Sequence, residues 1–322
     1  MRIKILGSAA GGGFPQWNCA CSNCRRLRER RFPGVARTQA QLAWQSESGL
    51  WTLLNASPDL RTQIEATSEL WPQDGSRHSP ISDVILTGAE VDQTIGLLLL
   101  REFHSFRVHA THSVRRILTE DNSIFGVLRR YAGQACWKDI PLEAPFSVGG
   151  ARLEAVPLGG SFPGFIGGAR QAESDPAEAV IGLWITPVAA PSSPPEPVSV
   201  AVAAVSPPPR KTLAFLPGVG SIPDSLLERL QQCDVLLFDG TFWSDEEPAS
   251  IPGLGKTASQ MGHMPVSGAR GSLASLAGLD RARKIFIHIN NTNPILDEES
   301  AEYRAVRDAG WEVARDGMEI TL

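Results

Sequence analysis

The chain has 322 residues, 42% of them hydrophobic, and a formal net charge of −5. That is enough apolar material for one large domain or two small ones, and the acidic balance speaks against nucleic acid as a partner. No run approaches the roughly 20 apolar residues of a membrane span, and MRIKILGSAAGGG lacks the apolar stretch of a secretory signal, so a cytoplasmic chain is expected.

Residues 2–6, RIKIL, read as an opening strand. The glycine-rich turn Gly7 to Gly13 lacks both the G-x-G-x-x-G spacing and a following Gly-Lys-Ser/Thr. Close backbone packing beside a site explains it better than phosphate binding. Cys19, Cys21 and Cys24 then place three thiols in one loop. In a cytoplasmic chain that spacing suggests structural zinc, with a fourth ligand from elsewhere. Six arginines between Arg25 and Arg37 read as a solvated helix.

AQLAW and LWTLLNA, joined by Ser46 to Gly49, predict an antiparallel hairpin. A helix is expected over Arg61 to Leu70. Val84-Ile85-Leu86 reads as a buried strand, and Gly96 with Leu97 to Leu100 as the start of a buried helix. The turn between them carries Glu90 and Asp92, two carboxylates that can hold hard oxygen ligands at a sheet edge. Phe106 to Ala110 predicts a short strand. His104, His109 and His112 lie close in sequence, but their irregular spacing suits surface or packing roles better than a metal. Val114 to Leu118 and Ser123 to Tyr131 look helical, and Ala151 to Val156 extended.

From Pro187 to Arg210 the chain holds eight prolines and no charges except Glu196 and Arg210. It reads as a flexible insertion between strands at 181–185 and 213–216. Leu213 to Leu216, Val235 to Phe238 and Ile285 to Ile287 are three further buried strands, with helical segments at Asp224 to Gln232 and Ser267 to Ala277. Asp239 and His288 follow the carboxyl ends of the last two strands, the edge where open α/β sheets gather their sites. With Asp92 they make a mixed nitrogen and oxygen set that suits iron(II), manganese or zinc. His263, in the turn MGHMP, is a candidate acid, base, substrate contact or extra ligand.

GSAAGGGFPQWNCACSNC, the stretch ending GLLLLRE, MGHMPVSG and HINNTNPIL together resemble, in the same order, the PqqB family of pyrroloquinoline quinone (PQQ) biosynthesis. The likeness runs from residue 2 to about 320, apart from the insertion. It implies a metallo-β-lactamase-like α/β fold: a single domain over residues 1–322, built as a four-layer αββα sandwich with two mixed β-sheets. The superfamily's H-x-H-x-D-H turn corresponds here to Gly88-Ala89-Glu90-Val91-Asp92-Gln93, which keeps only Asp92. The implied active-site metal set is therefore Asp92, Asp239 and His288, with Gln93 a weak ligand where the family usually has His. His263 and Glu90 are the implied catalytic side chains. Cys19, Cys21 and Cys24 match a structural zinc site whose fourth position, a His in related phosphodiesterases, is Asn291. The resemblance implies iron(II)- and O2-dependent hydroxylation of the tyrosine ring of a Glu-Tyr precursor. Its alternative is a soluble carrier assisting transport of PQQ or its precursor toward the periplasm. A homodimer is compatible with either.

Overall fold

The computed structural model describes residues 1–322 except 74, 76, 103, 189–209 and 251–254. The expected insertion at about 187–210 thus lies, apart from its flanks, outside the described residues. In chain order the strands are β1 (Arg2–Gly7), β2 (Gln41–Gln45), β3 (Trp51–Leu54), β4 (Ile81–Ile85), β5 (Phe106–Ala110), β6 (Ala135–Asp139) and β7 (Pro145–Val148). They continue with β8 (Ala151–Pro157), β9 (Ile181–Pro187), β10 (Leu213–Leu216), β11 (Val235–Asp239), β12 (Arg283–Ile287), β13 (Trp311–Val313) and β14 (Glu319–Thr321).

Two seven-stranded sheets form, in the orders β14-β1-β2-β3-β4-β5-β6 and β13-β12-β11-β10-β9-β8-β7. Both are mixed, and they share one layout. β14 through β3 pair antiparallel and β3 through β6 parallel. Likewise β7 through β10 pair antiparallel and β10 through β13 parallel.

Side-chain alternation along each strand explains the layering. Ile3, Ile5, Leu42, Trp44 and Leu54 meet Leu213, Phe215, Leu237, Ile285 and Ile287 in one core between the sheets. Their outward neighbours Ala43, Leu53 and Val84 pack under the helical segments of the first half. Ala214, Leu216, Leu236, Phe238 and Phe286 do the same in the second half, where the Trp311 ring stacks on Phe286 at 4.1 Å. Helices, sheet, sheet and helices make the four layers of an αββα sandwich. Among the described residues, no helix is long and apolar enough to cross a membrane.

Several expected helices are shorter or differently wound. After β4 the chain makes one α turn, Val91–Thr94, and continues as a 3-10 helix, Ile95–Leu100. The reason is local crowding: a Cβ on Gly96 would lie 2.3 Å from the Ser57 carbonyl oxygen, so the segment is pressed onto the 55–57 backbone. The helix expected at 267–277 shrinks to Ser272–Ser275, because the preceding turn needs Gly268 at φ +89°. The one expected at 61–70 splits into Leu60–Glu65 and a 3-10 turn, Ser68–Leu70, because Thr67 is extended. Helix His112–Arg116 widens to a π turn, Ile117–Asp121, and Ser123–Arg129 is 3-10. Strands β6, β7, β13 and β14 and the helix Ala301–Asp308 have no counterpart in the sequence expectations.

Candidate metal centre

The carboxyl ends of the parallel strands β4, β10, β11 and β12 converge on one cleft. β11 ends on Asp239, which is fully buried. β12 ends one residue before His288, whose φ of +60° is a left-handed conformation that turns the ring back toward Asp239. Such a conformation costs a non-glycine residue about 1–3 kcal/mol and persists only where its surroundings hold it.

Thr241 supplies part of that hold. Its Oγ1 lies 2.6 Å from Asp239 Oδ1, 2.9 Å from His288 Nδ1 and 2.8 Å from the His288 carbonyl oxygen. A hydroxyl has one proton, and the shortest contact, to a charged acceptor, takes it. Oγ1 then accepts the Nδ1–H of His288, a tautomer assigned by this network. The remaining nitrogen, Nε2, lies 3.2 Å from Asp92 Oδ2. A proton shared between them makes a hydrogen bond, and a cation there would find a nitrogen and an oxygen ligand.

His263 completes the cluster. Its Nδ1 donates to Asp239 Oδ2 at 2.7 Å, and its ring stacks on that of His288 with centroids 5.5 Å apart. One donor atom from each of Asp239, His263 and His288 lies within 4.8 Å of the others. Burial opposes the charge of Asp239, but His263, His288 and Thr241 outweigh it and hold the carboxyl below its usual range. Burial likewise opposes a charged His263, yet Asp239 outweighs it, with Asp92 and Glu90 adding to the same effect, and its pKa is raised. Glu90 is raised by desolvation and by repulsion from Asp92.

The cleft above these groups measures about 470 Å³. Gly11, Gly12, Gln39, Glu90, Asp92, Gln93, Met261, His263 and His288 are among its walls, and no lysine or arginine is among those described. The early glycines pack here: a Cβ on Gly11 would touch Asp92 Oδ2 at 3.5 Å. Gln93 faces Gly88, where any Cβ would meet its Oε1 at 2.6 Å. That oxygen is buried and has no hydrogen-bond partner, an arrangement worth about 1–3 kcal/mol of unmet desolvation. With Asp92 beside His288, and one donor atom from each of Asp239, His263 and His288 within 4.8 Å of the others, two carboxylates and two imidazoles make a donor set that fits a metal ion.

The three thiols lie on the far side of the same loop. Cys21 caps the helix Ser22–Arg28, and one sulfur from each of Cys19, Cys21 and Cys24 falls within 4.8 Å of the others, all unoxidised. Asn291 sits over them, with Nδ2 at 3.2 Å from Cys19, 3.6 Å from Cys21 and 3.3 Å from Cys24. An amide presents nitrogen or oxygen with nearly the same geometry, so a flip offers Oδ1 to a cation held by the sulfurs. Burial pushes the Cys24 thiol up to about 12. Burial also acts to raise Cys19, but hydrogen bonds from Cys21, Cys24 and Asn291 outweigh it and lower the pKa.

The structure therefore brings together Asp92, Asp239, His263 and His288, places Glu90 and Gln93 on the wall, and gathers the three thiols under Asn291. The other histidines separate: His104 reaches the Ile81 carbonyl, His109 reaches Asp83 and His112 reaches Asp139. Sequence reasoning missed Thr241 and the Val219 N–H, which donates to Asp239 Oδ2 at 3.0 Å. Both are turn residues without a local signature.

Residues 50–289 match the family model for a beta-lactamase superfamily domain, and the fold and strand-end site are of that class. The chain is 39% identical to coenzyme PQQ synthesis protein B of Xanthomonas axonopodis pv. citri, over the whole of both chains. It is 40% identical to that of Nitrosococcus oceani, again over both full lengths. The crystal structure of Zn2+-bound PqqB from Methylobacterium extorquens superposes with a TM-score of 0.84 at 37% identity, covering both chains entirely. A diphosphatase of the PhnP family shares the fold, with a TM-score of 0.62 at 18% identity over all of this chain and 97% of that one. The chain belongs to the coenzyme PQQ synthesis protein B (PqqB) family.

Proposed function

We propose that this chain serves PQQ biosynthesis as a metal-dependent hydroxylase of the tyrosine ring in a Glu-Tyr precursor, acting as one domain. The observation that carries the reading is His288 Nε2 at 3.2 Å from Asp92 Oδ2, beside Asp239 and His263, at the floor of a cleft with no lysine or arginine among its described walls. A cleft of that charge suits a neutral phenol better than a phosphate ester, which would call for arginine or lysine. Asp92, Asp239 and His288 would hold the active-site ion, with Gln93 a weak ligand completing the set. Cys19, Cys21 and Cys24, with Asn291, would hold zinc.

Iron(II) held by Asp92, Asp239 and His288 would supply the redox couple for the reaction of dioxygen with the ring. Asp239 buries its charge against His263, which fixes that ring by Nδ1 and leaves Nε2 to exchange a proton with the phenol oxygen. Thr241 sets the His288 tautomer so that Nε2, not Nδ1, faces the cleft. Glu90, at the rim, orients the substrate. The carrier reading is favoured by one feature: Gln93 faces Gly88, where the superfamily motif has imidazoles.

The test is metal content with turnover. Protein purified anaerobically, given iron(II), dioxygen and ascorbate as the two-electron reductant, is expected to add one oxygen atom to the ring of Glu-Tyr. Binding of PQQ in a one-to-one ratio with no iron uptake and no product would overturn the hydroxylase in favour of the carrier.

A further inference from the structure

The thiol loop and the cleft meet through one short segment, His288 to Asn293, gripped from two sides. On the cleft side, Thr241 Oγ1 accepts from the His288 ring, and the Asn290 N–H donates to the Thr241 carbonyl at 3.0 Å. On the thiol side stands Asn23, between Cys21 and Cys24 on the helix Ser22–Arg28. Its Nδ2 lies 3.2 Å from the carbonyl oxygen of Asn291 and 3.3 Å from those of Thr292 and Asn293. Three consecutive carbonyls converge on one amide nitrogen, although neighbouring carbonyls of extended chain point in opposite directions. The segment turns by its own Asn293 N–H bond to the Asn290 carbonyl at 3.0 Å, and Asn23 caps that turn. Within it Asn291 reaches back to all three sulfurs, so the thiol loop holds both the backbone and a side chain of the segment that carries His288.

We propose that Asn23 is a positioning residue: by clamping the 291–293 carbonyls it fixes His288 in its left-handed conformation and couples the thiol centre to the cleft. The coupling follows from geometry. His288 is strained, and it keeps its orientation only while both ends of the segment are fixed. An ion that binds the three sulfurs and Asn291 tightens one end, and the cleft gains affinity for its own ion. Linkage makes the effect reciprocal. The metal assignment rests on the reading above, but the coupling does not depend on which reaction the cleft performs.

The experiment uses the full chain carrying zinc at the thiols, titrated with manganese(II) as a probe of the cleft by calorimetry. Asn23→Asp is isosteric and cannot donate to the carbonyls. It is expected to retain zinc and to bind manganese(II) about tenfold more weakly, which is about 1.4 kcal/mol. Unchanged manganese affinity with zinc retained would overturn the proposal. A second measurement needs no variant, should Asn23→Asp not fold. In wild-type protein labelled with nitrogen-15 in histidine, the His288 ring resonances are compared with and without zinc at the thiols. A changed His288 signal supports the coupling, and identical spectra, or thiols that take up no zinc, overturn it. Neither readout involves turnover, so absence of hydroxylase activity would count against the proposed function and leave this test intact.

Discussion

Thr241 carries more of the candidate centre than its residue type suggests. One hydroxyl donates to Asp239 and accepts from the His288 ring, so it links the carboxylate to the imidazole and sets the ring's tautomer. Thr241→Val keeps the shape and removes the hydrogen bonds. It is expected to lower manganese(II) or iron(II) affinity in the cleft about 10–100-fold, as loss of a group that orients a ligand does, measured by calorimetry on zinc-loaded protein. Away from the cleft, Asp83 is buried and takes hydrogen bonds from His109 and Arg107. Burial alone would raise its pKa, but these donors and Ser82 depress it well below 3.8. The sign follows: its stabilisation is complete above that ordinary value and is lost as pH falls through it toward the depressed folded value. Asp83→Asn should cost about 2 kcal/mol at neutral pH. Urea unfolding should show the difference from wild type shrinking steadily as the solution is acidified below pH 4.

At the scale of elements, the acidic turn is held by close backbone contact rather than by helix propensity. Gly96 lies against Ser57, and its N–H donates to the Ala56 carbonyl at 2.9 Å. Gly96→Ala forces a Cβ into a carbonyl that cannot swing aside. Overpacking of this kind costs about 1–3 kcal/mol, and the thermal midpoint should fall accordingly. Because Ile95–Leu100 is continuous with the turn bearing Asp92, cleft metal affinity should weaken in the same variant. The helix expected from Gly96 failed for this reason. Four leucines mark a buried segment equally well as α or 3-10, and only the neighbouring 55–57 backbone decides between them. Hydrophobic runs did identify β4, β10, β11 and β12, since strands buried on both faces read as continuous apolar stretches. Edge strands β6 and β7 are partly exposed and carry mixed residues, so no such signal marks them.

For the whole molecule, the two sheets give the cleft a rigid floor, since its donors sit at strand ends anchored in three apolar clusters. Ion binding to the folded state alone stabilises it by mass action, about 2.7 kcal/mol at a hundred times the dissociation constant. Zinc added to metal-free protein should therefore raise the unfolding midpoint in two saturable steps, one for the thiols and one for the cleft. Cys24→Ser should abolish the first step, and its persistence would exclude the thiols as a zinc site.

The sequence by itself determined the thiol loop, because three cysteines in six positions cannot avoid one another. It also determined the buried strands and the placing of Asp239 and His288 at their ends, since strand direction follows from the apolar run and what succeeds it. Its motif resemblance reached the family and the sandwich. The tertiary structure decided what those groups do to one another. Asp92 and His288 are 196 positions apart, and Asn291 stands 272 from Cys19. No local spacing encodes such encounters. They arise because two separately patterned sheets pack face to face, bringing the parallel strand ends of β4 beside those of β11 and β12. The left-handed turn at His288 and the grip of Asn23 exist only once that packing is complete.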